Sequence, residues 1–265
     1  MIGWLLASQM LNISDRFLIQ KFKGSFDVGV YAVTYALVVG IATACLQPIL
    51  YGAFPSLVRS HHQLGGLETG SRFNRVLLVY FLVVPPVLVG ICLLGADLIA
   101  ALADPAYEAP PALITVLAFG IVLWNLGLYL QKALELTMRS ISLLRYLGFA
   151  AGVNVAANLA LIPLWGIMGA AVATLSSYAL YCALVLREAR RAYHLSVPAR
   201  SLASISAGVA AMVLLVLAGR SITGDLPALL RVMVCGVPGL LVYVLILRYR
   251  GELRNPGTRP AGSRS

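Results

Sequence analysis

The sequence predicts an all-α fold, a polytopic membrane bundle of about eight transmembrane helices. Three observations predict it. Of 265 residues, 60% are hydrophobic and only 11% charged, where a soluble domain carries about a quarter charged residues. The mean hydropathy is +0.89. The apolar residues fall in continuous runs, several reaching the ~20 residues that a spanning helix needs, without the period-two alternation of a membrane barrel.

Eight runs qualify, at 2–19, 28–56, 76–101, 112–134, 143–163, 166–186, 202–219 and 227–247. The first is short and carries Gln9, Asn12, Ser14, Asp15 and Arg16. No basic tail precedes it, so it does not read as a signal peptide but as a helix entered partway. The second exceeds one crossing and must tilt or break, with Pro48 and Pro55 as places for a break. The third holds Val84-Pro85-Pro86, which is expected to kink it. Spans four to six follow with short gaps, and the turn "IPLWG" folds spans five and six into a tight hairpin. Spans seven and eight form two additional helices in 191–247. The tail 248–265 is basic and rich in Pro, Gly and Ser, and is expected to be disordered.

The formal charge is +10. Fifteen of the 20 Lys and Arg residues fall in or beside the gaps after spans two, four and six and in the tail. The positive-inside bias then predicts a cytoplasmic location for those gaps and for both termini. Nucleic-acid binding would need a soluble basic domain, and the sequence has none.

The sequence predicts no catalytic residues and no metal site. It carries no Gly-rich phosphate loop, G-x-S-x-G or H-E-x-x-H. The gap "DPAYEAPP" offers Asp104 and Glu108, but about ten residues are too few for a glycosyltransferase site. Cys45, Cys92, Cys182 and Cys235 each sit alone in an apolar run, as small buried hydrophobes do. His61 and His62 read as a solvated pair.

Polar residues inside the runs are the candidates for function. A charge at the bilayer centre costs at least ~2.5–3.5 kcal/mol, so Asp15 needs a reason to be there. Arg16, near Lys21 and Lys23, can snorkel to water; the shorter aspartate cannot. Asn154 and Asn158, four apart, share one helix face, where interhelical hydrogen bonding is the plainer reading. Gly166, Gly169, Ala170 and Ala173 are spaced for close helix packing, and Thr174 lies on the face of Ala170. Arg16, Tyr31, Tyr35, Gln47, Asn125, Tyr129, Gln131 and Lys132 are candidates for a cavity wall, with interfacial anchoring or packing as the alternative.

The pattern "N…N…IP.WGI.GAA.AT..SY" over 154–180 resembles the C-terminal half of Wzx-type polysaccharide exporters. These flip polyprenyl-pyrophosphate-linked oligosaccharides and belong to the multidrug/oligosaccharidyl-lipid/polysaccharide transporter superfamily. "SDRFLIQKFKGSFDVGVYAVTYAL" is similar to that family's seventh helix, outer turn and start of its eighth, and "GAFPSLVRS" to the eighth's inner end. The resemblance covers residues 11–190 and implies the last eight of fourteen helices, with 1–190 as the C-terminal lobe of a MATE-like transporter. It implies a bacterial inner-membrane protein of O-antigen or lipopolysaccharide assembly. The substrate is then a lipid-linked oligosaccharide, and the partner a missing N-terminal lobe. Related lipid II flippases hold Na⁺ between two of these helices. That pattern implies a cation site of Asp15, Asn154, Asn158, Thr174 and a carbonyl near Ala170, coupled to Na⁺ or H⁺ and using no other cofactor. A cationic headgroup site on this half would have to use Arg16, Lys132 or Arg231. The alternatives are a drug–cation antiporter of the same superfamily and a non-transporting scaffold of a glycan-assembly complex.

Overall fold

The computed structural model describes residues 2–63, 65–224 and 226–252. Most of the basic tail, from 253 on, lies outside the described residues, as do the side chains of Gln9 and Asn12. The described residues form eight α-helices: α1 Ile2–Lys23, α2 Ser25–Gln63, α3 Gly65–Leu102, α4 Pro111–Leu136, α5 Ser140–Trp165, α6 Ile167–Ala192, α7 Ala199–Ile222 and α8 Ala228–Tyr249. A single 3₁₀ turn, Pro105–Tyr107, lies between α3 and α4. The chain is therefore a multi-pass helical bundle, as expected. Seven of the eight, α2 to α8, are long and apolar enough to cross a membrane. The exception is α1, whose last nine residues carry Asp15, Arg16, Lys21 and Lys23.

Two of the expected boundaries move. The apolar runs end near 56 and begin near 76, yet α2 has 39 residues and α3 has 38. Both continue as helices into polar sequence. No break occurs at Pro48, Pro55, Pro85 or Pro86, all of which lie inside continuous helices. Neighbouring helices and local adjustment compensate the backbone bonds that proline forfeits in a membrane bundle.

Two glycines with positive φ make the sharpest turns. Gly24 (φ 96°) reverses the chain between α1 and α2, and Gly166 (φ 58°) between α5 and α6. Such a backbone carries no steric cost without a Cβ, which is why each pair is joined by a single residue. Along the second turn, α6 lies so close to α5 that a Cβ on Gly169 would sit 2.3 Å from the Leu161 carbonyl oxygen. The small-residue stripe thus packs helices, as its spacing predicts.

The larger core gathers side chains from α1 to α6, among them Ile19, Tyr31, Val38, Phe73, Leu117, Tyr129, Leu147 and Tyr178. A smaller one joins α7 and α8 to α3 through Leu78, Leu82, Leu94, Met212, Val216 and Tyr243. The Tyr243 hydroxyl donates to the Leu82 carbonyl at 2.7 Å.

Candidate functional site

The two glycine turns assemble the site. The Gly24 turn brings α2 back alongside α1, so Tyr31 returns to the level of Asp15. The Gly166 turn does the same for α5 and α6, setting Asn154 and Asn158 against Thr174 and Ser177. The two hairpins meet face to face.

Asp15 is 1% exposed, and Asn154 and Asn158 are fully buried. The Tyr31 hydroxyl donates to Asp15 Oδ2 at 2.6 Å and lies 3.4 Å from Thr174 Oγ1. Asp15 Oδ1 accepts from the Arg16 amide at 2.8 Å. Ser177 Oγ donates to the Thr174 carbonyl at 2.9 Å and accepts from Asn154 Nδ2 at 3.1 Å. Asn154 Oδ1 accepts from Asn158 Nδ2 at 3.0 Å and from Ser14 Oγ at 3.2 Å. One chain of hydrogen bonds therefore runs from Asp15 through Tyr31, Thr174, Ser177 and Asn154 to Asn158, across four helices. Asn158 Oδ1 is buried without a hydrogen-bond partner.

Four of the residues expected to hold a cation, Asp15, Asn154, Asn158 and Thr174, are thus brought together. Ala170, the fifth, is fully buried on α6, one turn before Thr174. The set is made of oxygens with one formal negative charge, which suits a hard monovalent cation or a proton on the carboxylate. The unpartnered Asn158 oxygen is the observation that fits such an ion, since buried polar atoms ordinarily find partners. Ser14 and Ser177 join the network without having been assigned to the cation site in the sequence. Ser14 is one of the polar residues of the first run and Ser177 is the serine of the "AT..SY" motif, but serine is common at helix contacts, and neither position alone marks a role.

The expected cavity residues separate into groups. Tyr31 is fully buried in the network. Tyr35 lies beside it, its hydroxyl 3.1 Å from that of Tyr178, with the Arg16 guanidinium 5.5 Å above its ring. Asn125 donates to the Ile121 carbonyl at 2.9 Å and lines a small cavity with Leu46, Ile49, Leu50, Tyr80 and Tyr129. Gln47 is half-buried on α2. Farther along α4, Lys132 is held by both Glu135 oxygens at 2.9 and 2.8 Å and lies 4.7 Å from the Phe54 ring centroid. Gln131 accepts from the Tyr181 hydroxyl at 2.6 Å.

Arg231 is already paired. The sequence offers it as a headgroup cation, but its Nη1 donates to Asp97 Oδ1 at 2.8 Å, and its Nη2 to the Gly224 and Leu226 carbonyls. Arg220 joins the same carboxylate at 3.5 Å and donates to the Leu93 carbonyl. Asp97 is 6% exposed. This cluster ties α3 to α7 and α8, and a lone acid within "LLGADLIAAL" is its signal in the sequence.

No family model matches the chain. It is 28% identical over 236 residues to "Probable flippase AglR" of Haloferax volcanii, an alignment covering 80% of this chain and 46% of the relative. Its fold matches the lipid II flippase MurJ in an inward closed conformation, with a TM-score of 0.73 and 12% identity, over 95% of this chain and 53% of that one. The chain thus spans about half the length of the relatives it matches. Both relatives carry the names of flippases, not of enzymes. In fold, this chain is similar to about half of a lipid II flippase.

Proposed function

We propose that this chain forms one lobe of a flippase for lipid-linked oligosaccharides, in the multidrug/oligosaccharidyl-lipid/polysaccharide transporter superfamily. The observation that carries the reading is the likeness of fold to a lipid II flippase over 95% of the chain. The similarity to AglR supports it. The working transporter would place this lobe opposite a second one and expose the cavity between them to each side in turn. The basic ends of α2, α4, α6 and α8 would lie in the cytoplasm, following the charge bias. A polyprenyl-pyrophosphate carrier in a bacterial inner membrane is the substrate class that the Wzx resemblance favours.

Coupling to Na⁺ or H⁺ would use the Asp15 network. Asp15, Asn154, Asn158, Thr174 and the Ala170 carbonyl would hold the ion. It would neutralise the buried carboxylate and so bias the lobes toward one conformation. These residues lie on α1, α5 and α6, and Tyr31 of α2 joins them through its hydroxyl contacts to Asp15 and Thr174, so that occupancy there would be felt by both hairpins.

The test is binding of a fluorescent polyprenyl-linked sugar by the purified chain in nanodiscs. Competition by unlabelled lipid-linked sugar, and none by a cationic dye, is expected. Competition by the dye alone would favour the drug antiporter, and no binding of either would favour the scaffold.

A further inference from the structure

The cation ligands implied by the resemblance come from α1, α5 and α6, and none from α2. Yet the hydroxyl of Tyr31, on α2, lies 2.6 Å from Asp15 Oδ2 and 3.4 Å from Thr174 Oγ1. It is within reach of two of the oxygens expected to hold the ion. A cation held by both of them meets the phenol as well, and either displaces it or binds its oxygen.

Displacement is blocked by packing. Tyr31 is fully buried. Its ring stacks on that of Tyr35 with centroids 6.1 Å apart. The Tyr35 hydroxyl lies 3.1 Å from that of Tyr178 on α6, and the Arg16 guanidinium lies 5.5 Å from the Tyr35 ring. Swinging the phenol out would part that pair in a close-packed interior.

The two distances differ in kind. The 2.6 Å contact is a short, charge-assisted hydrogen bond to a carboxylate. The 3.4 Å contact is long for a hydrogen bond between hydroxyls, but it is the separation of two oxygens that share an ion. Ligands of a hard cation such as Ca²⁺, close to Na⁺ in size, stand about 2.3–2.6 Å from it, which puts neighbouring ligands at right angles about 3.3–3.7 Å apart. A phenol is donor and acceptor at once, so Tyr31 can keep its proton on Asp15 and turn a lone pair to the ion. The oxygen is neutral, so the site keeps one formal negative charge. Asn158 Oδ1, buried without a hydrogen-bond partner, is the free acceptor on the α5 side.

We propose, on the reading that this network binds a cation, that the Tyr31 hydroxyl is a ligand of the site and sets its preference for Na⁺ over K⁺. The stack on Tyr35 fixes the spacing between Tyr31 and Thr174, and the larger K⁺ would have to push α2 away from α6. The bond to the ion then reaches α2 directly.

The experiment is thermal unfolding of the full chain in detergent, titrated with sodium, potassium or choline chloride at constant ionic strength. Sodium is expected to stabilise the unsubstituted chain, and potassium much less. Tyr31→Phe is expected to weaken the apparent sodium affinity by about tenfold, the loss of roughly 1.4 kcal/mol of binding, and to abolish the preference over potassium. Unchanged sodium affinity and preference in Tyr31→Phe would overturn the proposal and leave the cation site standing. An unsubstituted chain that responds alike to all three salts would sink the cation site and this proposal with it. A fluorotyrosine placed at position 31 gives a readout that a structural role would not move, and it serves if Tyr31→Phe does not fold. Its fluorine resonance is expected to shift with sodium and not with choline. A resonance indifferent to sodium, while sodium still stabilises the chain, would overturn the proposal.

Discussion

Asp15 has one carboxylate oxygen on the Tyr31 hydroxyl and the other on the Arg16 amide. A neutral amide in its place keeps the shape and removes the charge. Asp15→Asn in a complete transporter is therefore expected to weaken Na⁺- or H⁺-dependent transport while expression stays normal. Full retention of cation dependence would make Asp15 a structural acid only. Tyr31→Phe removes the donor at 2.6 Å and leaves a buried carboxylate oxygen unpaired, which costs about 1–3 kcal/mol; a lower melting temperature in detergent checks it. Gly169 gives a sharper contrast. Alanine there would press on the Leu161 carbonyl, and overpacking of this kind costs about 1–3 kcal/mol. At Gly148 and Gly152 on α5 an added Cβ would meet nothing within 4 Å, so alanine at either should be neutral or stabilising by about 0.5–1 kcal/mol. Within the network, Asp15, Asn154 and Asn158 are legible in the sequence because a charge or a pair of amides is costly in an apolar run, while Thr174 enters through the resemblance. Tyr31 reads there only as a cavity residue, since one phenol looks like another until the Gly24 turn places it.

Helices α7 and α8 pack on each other and on α3, and polar contacts fasten both ends of the pair. At one end Asp97 holds Arg220 and Arg231. At the other, Ser201 and Ser204 donate to Glu252 at 2.8 and 3.2 Å, while Asn74 of α3 grips the chain at His194 and Ser196. Asp97→Asn is expected to loosen the first fastening. Amide hydrogen exchange should then quicken in the first turns of α8 and the last of α7, with α4 to α6 unchanged; uniform quickening would mean that the pair is not a separate element. The charge bias gives a test of orientation as well. Cysteines introduced at Ser71 and Ser196, both exposed, should be labelled from the cytoplasm and one at exposed Ala106 from outside. Labelling of Ala106 from the cytoplasmic side would invert the map. Spans are easy to find because a membrane helix announces itself by apolar length. Their ends are not, because "VRSHHQ" and "GGLETGSRFNR" are helical for reasons of packing, with Leu57, Ser60, Thr69 and Phe73 buried, and carry no such run.

At the scale of the molecule, the chain presents about half the length of its relatives and, on α1 and α5, large exposed apolar side chains such as Phe17, Phe149 and Trp165. Reconstituted alone in liposomes, it is expected not to translocate a fluorescent polyprenyl-linked sugar. Robust translocation by a verified monomer would overturn the two-lobe reading. The eight-helix order is legible in the sequence. The presence of two cores is not, since α7 and α8 are as apolar as the rest and only the partners of Asp97 and Tyr243 reveal that they attach through α3.

The long hairpin of α2 and α3 has a practical corollary for imaging. A membrane protein of 28.2 kDa leaves little outside a detergent micelle for particle alignment. Here the Phe73 ring stacks on Tyr193, whose hydroxyl lies 3.1 Å from His61 Nδ1, so the hairpin is braced against the end of α6. A rigid fiducial protein fused into this hairpin would report the tilt of the lobe directly. Because each helix is about 57 Å long, a rotation of about 10° swings its free end by about 10 Å, a displacement well within the reach of electron microscopy or paired spin labels.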